Sequence, residues 1–258
     1  MLPTVLASGP LSGDRATVLI PHQKHTADDL SAWSEYEAAD MIHGVRTELA
    51  AKVNRSQTAV CEFVANHPRC YASVSWGKDS TVLAELVQEF GLPLVWIRVE
   101  PICNPDCVLV RDAFLEKHPE TRYEEIAVQC RRGDDTWHAA GTLEAGFAKA
   151  VALFGRHYLS GIRAEESGVR TIRFWKHGLT TKHACAPLGW WTVADIFGYL
   201  AVNQLPVHPV YGMFGGGRWQ REHLRVSSLG GQRGAGMGRA EWEDEYYGDV
   251  LAKLRHQR

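Results

Sequence analysis

Residues 75–80, Ser75-Trp76-Gly77-Lys78-Asp79-Ser80, bring together the groups that hold a phosphate. Lys78 supplies a point charge, Ser75 and Ser80 supply hydroxyl donors, and Gly77 lets the backbone approach an anion closely. Asp79 is out of place in a pure anion site, but fits if Mg²⁺ accompanies the phosphates. The chemistry implied is the binding and activation of a polyphosphate. A Walker loop is excluded, because it needs G-x-x-x-x-G-K-S/T and the residue five before Gly77 is Ala72. A plainer reading stays open: an ordinary strand–helix turn with Asp79 or Ser80 as N-cap.

Those side chains converge only if the flanking elements aim them. Upstream, Tyr71-Ala72-Ser73-Val74-Ser75 reads as a buried strand. Downstream, Val82, Leu83, Leu86, Val87 and Phe90 recur at helical spacing. A strand running through a one-glycine loop into a helix points unpaired N–H groups, and about half a positive charge, at one place. Further strands are expected at 94–99, 123–128 and 157–162, with a weaker one near 183–186. Helices are expected at about 80–90, 106–117, 143–154 and 193–203, the last opened by Thr192 with Asp195 in a capping-box pattern. This alternation predicts an α/β fold, a Rossmann-like parallel sheet with helices on both faces, binding ligands beyond the carboxyl ends of its strands.

Three stretches of chain are expected: a helical N-terminal extension (1–65), the nucleotide-binding domain (66–212) and a glycine-rich, basic tail (213–258). In the first, 17–21 is strand-like, and Leu30, Trp33, Ile42, Val45, Leu49 and Val53 step helically. A break is expected at Asn54-Arg55-Ser56, before a second helix carrying Val60, Phe63 and Val64. These helices should pack on the sheet or on a partner subunit, as in a homodimer. In the tail, 215–218 and 230–239 read as mobile loops, followed by a short helix from Glu241 to Leu254. Arg218, Arg221, His223 and Arg225, beside Trp219, could grip a polyanionic acceptor such as DNA, or could be a solvated tail.

At 258 residues, one domain with appendages can bury a sizeable core. The net charge of −2 marks no nucleic-acid partner by itself. No run of about 18 apolar residues suggests a membrane span, and no basic-then-apolar leader is visible, so a cytoplasmic location is expected. The six cysteines, Cys61, Cys70, Cys103, Cys107, Cys130 and Cys185, are then expected to be reduced. Cys103 and Cys107 form the one close pair, a poor match to zinc or C-x-x-C redox spacing. Unrelated thiols, a regulatory disulfide or half of an iron–sulfur site all remain open. His118, His138, His157, His177 and His183 form no spaced metal set. His208 reads as a turn residue, and Trp190 and Trp191 as packing.

Residues 75–83 resemble the PP-loop of the adenine-nucleotide α-hydrolase superfamily, usually S-G-G-K-D-S. Tyr158-Leu159-Ser160-Gly161-Ile162-Arg163-Ala164-Glu165-Glu166-Ser167-Gly168-Val169-Arg170 resembles the fourth-strand signature of its PAPS-reductase-like branch. A third block, from Cys185-Ala186-Pro187 through Trp191 and Asp195-Ile196 to Leu205-Pro206-Val207-His208-Pro209-Val210-Tyr211, is similar to that branch's ending. The blocks stand in the right order over about 70–212. Trp76 departs from the pattern, where glycine is usual, so the loop should turn differently there or be shielded on one side.

The branch includes sulfonucleotide reductases, the small subunit of sulfate adenylyltransferase, phage-encoded members and the ATP pyrophosphatases of DNA phosphorothioation. The resemblance implies ATP and Mg²⁺, with phosphates on Ser75, Trp76, Gly77, Lys78, Asp79 and Ser80, and Asp79 as metal ligand. Gly161 and Arg163 would border the nucleotide, and adenine would pack at Ile97, Arg98 and Val99. Lys78, Asp79, Arg163 and Arg170 would act in catalysis, with Glu165 and Glu166 orienting the arginines or helping with the metal.

The leading expectation is an ATP pyrophosphatase that adenylates an acceptor for sulfur incorporation, with sulfur from a partner such as a cysteine desulfurase. A reductase would need a late thiol, and no cysteine follows Cys185. A sulfate adenylyltransferase small subunit would need a GTPase partner. A non-catalytic binding module would have no need of Lys78, Asp79, Arg163 and Arg170 together.

Overall fold

The computed structural model describes residues 17–129, 140–226, 229–230 and 239–256. Two helices, α1 (Ala27–Gly44) and α2 (Thr47–Asn66), precede an alternating region. That region runs β1 (Cys70–Val74), α3 (Lys78–Leu86), β2 (Leu94–Glu100), α4 (Cys107–Lys117), β3 (Tyr123–Gln129), α5 (Ala140–Phe154), β4 (His157–Ser160), α6 (Gly168–His177), β5 (Ala184–Cys185) and α7 (Val193–Val202). The last helix is α8 (Arg239–His256), kinked at Tyr247.

The five strands are all parallel, in the order β3-β2-β1-β4-β5. The chain moves outward from β1 to β3, then returns to the other side of β1 as β4. Connections leaving β1 and β4 therefore diverge and open a crevice at their carboxyl ends. Period-two alternation sorts the strand side chains between two helix layers. Ala72, Val74, Leu94, Trp96 and Leu159 share a core with residues of α2, α3, α4 and α7, whereas Tyr71, Val95, Val99, Ile126 and Val128 face Ala150 of α5. Helices thus lie on both faces, as the alternation predicts.

Two expectations are corrected in the N-terminal region. The 17–21 piece contributes only a bridge, Leu19 to Val207. The helical break falls at 45–46, not at 54–56. A Cβ on Gly44 would come 2.4 Å from the Gly198 carbonyl oxygen of α7, so the two helices touch backbone to backbone. That crossing and the poor helix propensity of glycine end α1. Ser56 is held inside α2 by tertiary bonds: it donates to the Pro187 carbonyl (2.7 Å) and accepts from Trp191 Nε1 (3.0 Å). Trp33, Leu49, Val60 and Phe63 join the same core as the strands, so these helices pack on the sheet.

In the described part of the tail, residues 216–218 of the first glycine-rich run are exposed, while the chain around them packs into the fold. Met213, Phe214, Trp219, Leu224, Val226 and Leu229 are buried. Positive φ at 215–217 turns the chain so that Trp219 folds back over Gly215. Arg221 is no solvated cation: it grips Asp40 with both NH groups (2.5 and 2.7 Å) among the rings of Trp33, Tyr36 and Phe197. Arg218 pairs with Glu245 (2.6 and 2.7 Å) and lies over Trp219. Residues 231–238, most of the second glycine-rich run, lie outside the described residues, as do Cys130 and His138. No helix among the described residues is long and apolar enough to cross a membrane.

Candidate active site at the carboxyl end of the sheet

A cavity of about 810 Å³ opens where β1 and β4 part. Ser75, Gly77, Lys78, Asp79 and Ser80 line it from the loop after β1 and the first turn of α3. Gly161 and Arg163 line it from beyond β4, and Arg170 from α6. The loop is knitted by its own bonds: Ser75 N–H donates to Ser80 Oγ (3.1 Å), and the Ser80 hydroxyl donates to the Gly77 carbonyl (3.0 Å). The N–H groups of Asp79 and Ser80 lie in the first helical turn, where no intrahelical acceptor exists. Lys78 N–H donates to Tyr211 Oη at 3.2 Å. Tyr211→Phe removes that acceptor and is expected to cost about 1 kcal/mol in urea unfolding.

Asp79 is the hub of the charges. Its Oδ1 accepts from Arg163 Nε at 2.6 Å and its Oδ2 from Lys78 Nζ at 3.0 Å. Burial alone would push the Asp79 carboxyl up, but Lys78 and Arg163 outweigh it and hold it below the usual carboxylate value. Burial would likewise lower Lys78 and Arg163; Tyr211 and Asp79 reverse this for the lysine, Asp79 and Glu165 for the arginine. All three are therefore ionised around neutrality. Glu165 also accepts from Arg163 and from Val193 N–H (2.7 Å), while Glu166 accepts from Arg163 N–H (3.0 Å) and pairs with Arg170. Both glutamates are thus bonded to the arginines.

Gly161 is required by space. A Cβ there would lie 2.9 Å from the Asp79 carbonyl oxygen and 3.0 Å from its carbon, and backbone cannot step aside cheaply. Gly161→Ala is expected to lower stability by about 1–3 kcal/mol in urea unfolding, because the loop must lift off β4.

Trp76 does not shield the site as expected. Its backbone takes the left-handed conformation that glycine adopts readily, at φ 58°. Its indole points away from the cavity, fully buried against Phe114 and Tyr123, and shields nothing. The left-handed backbone costs roughly 1–2 kcal/mol. Burying roughly 150–250 Å² of ring returns about 4–6 kcal/mol as an upper bound, so the substitution is tolerated.

The end of β2 does not reach the main cavity. Ile97 and Val99, with Trp96, Leu143 and Phe147, line a neighbouring slot of about 200 Å³ that meets it at Ser73, Val74 and Ser75. Arg98 turns its guanidinium away, to Glu100 (2.8 Å) and Glu125 (3.1 Å). Cys103 and Cys107 also line the slot, both as free thiols, and Cys107 Sγ donates to the Ser75 carbonyl at 3.6 Å. Burial first, and Cys103 second, push the Cys107 thiol well up.

Among the described residues no group of three or more His, Cys, Asp or Glu is arranged to hold a metal. Mg²⁺ commonly takes one or two carboxylates and completes its shell with phosphate oxygens and water, so Asp79 beside two hydroxyls is a chemically fitting donor set.

Several lining residues carried no role in the motif reading: Tyr211, Glu222, Val226 and Arg239. Tyr211 closes the third motif block, which was its one sequence signal. His223 and Arg225 reach the cavity from the expected basic cluster, whereas Arg218 and Arg221 do not. Trp190 and Trp191 pack: Trp191 is buried, and Trp190 lies against Phe174 and Trp175. His208 caps a short turn by accepting Val210 N–H.

No protein-family model matches the chain, and no curated protein sequence matches it. Among solved structures it is similar to the phosphoadenylyl-sulfate (PAPS) reductase of Candida auris in its phosphate complex. The two share 14% identity over 64% of this chain and 90% of that one, with a TM-score of 0.45. The α/β assignment follows from the strand order itself, independent of that likeness.

Proposed function

We propose that this chain is a PP-loop enzyme that binds ATP at residues 75–80, cleaves it between the α and β phosphates and leaves adenylate on an acceptor for sulfur incorporation. The observation that carries this reading is the convergence of a helix N-terminus, Lys78 and Arg163 on one cavity at the point where the strand order reverses. Cleavage of this kind asks a protein mainly for positioning and charge neutralisation. The Asp79 and Ser80 N–H groups would take the departing pyrophosphate oxygens. Lys78 and Arg163 would neutralise the charge that develops, and Asp79, bonded to both, keeps them in position. Mg²⁺, when bound at Asp79, would add neutralising charge on the phosphate oxygens. The apolar slot of Ile97, Val99, Leu143 and Phe147 suits a flat adenine ring.

Replacement of a DNA backbone oxygen by sulfur is one pathway that would use such a step, with a cysteine desulfurase as sulfur source. The reductase reading is less well supported. Its chemistry needs a reactive thiolate, yet Cys107 is buried and held protonated, and among the described residues no cysteine lines the main cavity. Incubation with Mg²⁺ and α-labelled ATP tests the proposal: labelled AMP or an adenylated acceptor, with pyrophosphate, is expected. ADP as the product, or sulfite released from PAPS with a thiol reductant, would reject it.

A further inference from the structure

The cavity has a second cationic side that the nucleotide reading leaves unused. Beside the loop, where Val226 packs against Gly77, the segment after Tyr211 lines it with Glu222, His223 and Arg225, and α8 lines it with Arg239. Cations on the loop side already have carboxylates: Lys78 and Arg163 share Asp79, and Arg170 has Glu166. Arg225 differs. It is exposed, and no hydrogen bond or ion pair joins its guanidinium to another described residue. Burial first, and Arg225 second, act against the charge of Arg170. Two like charges facing one cavity are stabilised by an anion between them. His223, Arg225 and Arg239 also line an adjoining cavity of about 340 Å³, which reaches Arg218 and Trp219 and extends the space beyond the loop.

We propose that Arg225, with His223 and Arg170, forms a second oxyanion subsite that holds a phosphate- or sulfate-type group of the acceptor while the nucleotide occupies the loop. This rests on the ATP pyrophosphatase reading and names the acceptor's class. An oxyanion attacks through an oxygen that is already charged. A bond forms from that oxygen to the α-phosphorus, the bond from the α-phosphorus to the α–β bridging oxygen breaks, and pyrophosphate leaves with the electron pair. No proton must be removed and no oxidant is consumed. That suits a site whose carboxylates Asp79, Glu165 and Glu166 are all tied to cations.

The test is calorimetric titration of the full chain, saturated with α,β-methylene-ATP and Mg²⁺, with inorganic sulfate or with a thymidine dinucleotide carrying one phosphodiester. Wild type is expected to bind at least one of the two probes. Arg225→Gln is expected to weaken that binding at least tenfold. Arg55→Gln, the same charge change on the exposed face of α2, is expected to leave it intact. Sulfate bound more tightly than the dinucleotide supports a free inorganic acceptor, and the reverse supports a nucleic-acid backbone. Binding of neither probe, or equal binding in wild type and Arg225→Gln, overturns the subsite. So does a loss that falls on the ATP analogue instead, which would assign Arg225 to the nucleotide. If wild type does not bind the analogue at all, the nucleotide reading falls and this inference with it; if the analogue binds and the oxyanion does not, only the inference falls.

Discussion

Lys78→Met is expected to slow pyrophosphate release from ATP by about 10²–10³-fold, the usual loss when one preorganised charge-stabilising donor is removed from a site shielded from water. The Lys78 ammonium is buried, 3.0 Å from Asp79 and 5.3 Å from the Tyr211 ring centre, so it is fixed before substrate arrives. Methionine keeps the unbranched stem, and Asp79 retains Arg163 at 2.6 Å, so no carboxylate is stranded. Melting temperature measured alongside turnover separates chemistry from folding. Wild-type turnover in the variant would mean that the loop does not hold the reacting phosphates. Arg163 is a poorer probe, since its removal would leave Glu165 without its cation and Asp79 with Lys78 alone.

This charge cluster adds little pH dependence near neutrality. Asp79 is held below its unfolded value, so its contribution is present above about pH 3.9 and is lost as pH falls through the folded value. Lys78 is held above its own, so its contribution is present below about pH 10.4 and is lost as pH rises through the folded value.

His208 is different, and replacing it should flatten the acid limb of stability. The ring is 1% exposed, and Nδ1 accepts Val210 N–H at 3.2 Å, which requires it unprotonated. Burial, with a smaller push from His22, takes the imidazole down to about 3. Below about pH 6.5 the unfolded chain binds a proton there that the folded chain does not, so acidification favours unfolding. The slope is about 1.4 kcal/mol per pH unit, or about 2 kcal/mol between pH 6.5 and 5. His208→Asn keeps a side-chain acceptor for Val210 N–H but cannot titrate. Urea unfolding at pH 7 and pH 5 should show the variant losing about 2 kcal/mol less than wild type. Burial also holds His22 low, but that residue is present in both proteins and cancels in the difference. Equal losses would mean that His208 takes up its proton in the folded state.

Much of this architecture is legible along the chain because it is local. The apolar run Leu94-Val95-Trp96-Ile97 marks β2 along the chain, and the strand's period of two then sends Leu94 and Trp96 to one core and Val95 and Val99 to the other. The Thr192–Asp195 capping box predicted at the start of α7 is present, since cap and partner are three residues apart. The Gly44 break was illegible because it depends on a helix 154 residues away, at Gly198. The side to which the Trp76 ring turns was illegible because Phe114 and Tyr123, which receive it, are distant in the chain. Arg221 and Arg225 look alike in sequence, yet one neutralises buried Asp40 and the other faces the cavity.

From the order of its residues alone this chain specified a strand–loop–helix turn and an alternating parallel sheet, because hydrophobic period, turn chemistry and helix-end polarity act over a few neighbours. Only the closed tertiary structure decided which charges are spent on one another and which remain for a ligand. Asp79 meets Arg163, and Arg225 comes to face Arg170, through contacts between residues far apart in the chain. Such pairings leave no periodic trace, because they are selected by the geometry of the whole sheet and the tail that folds across its end.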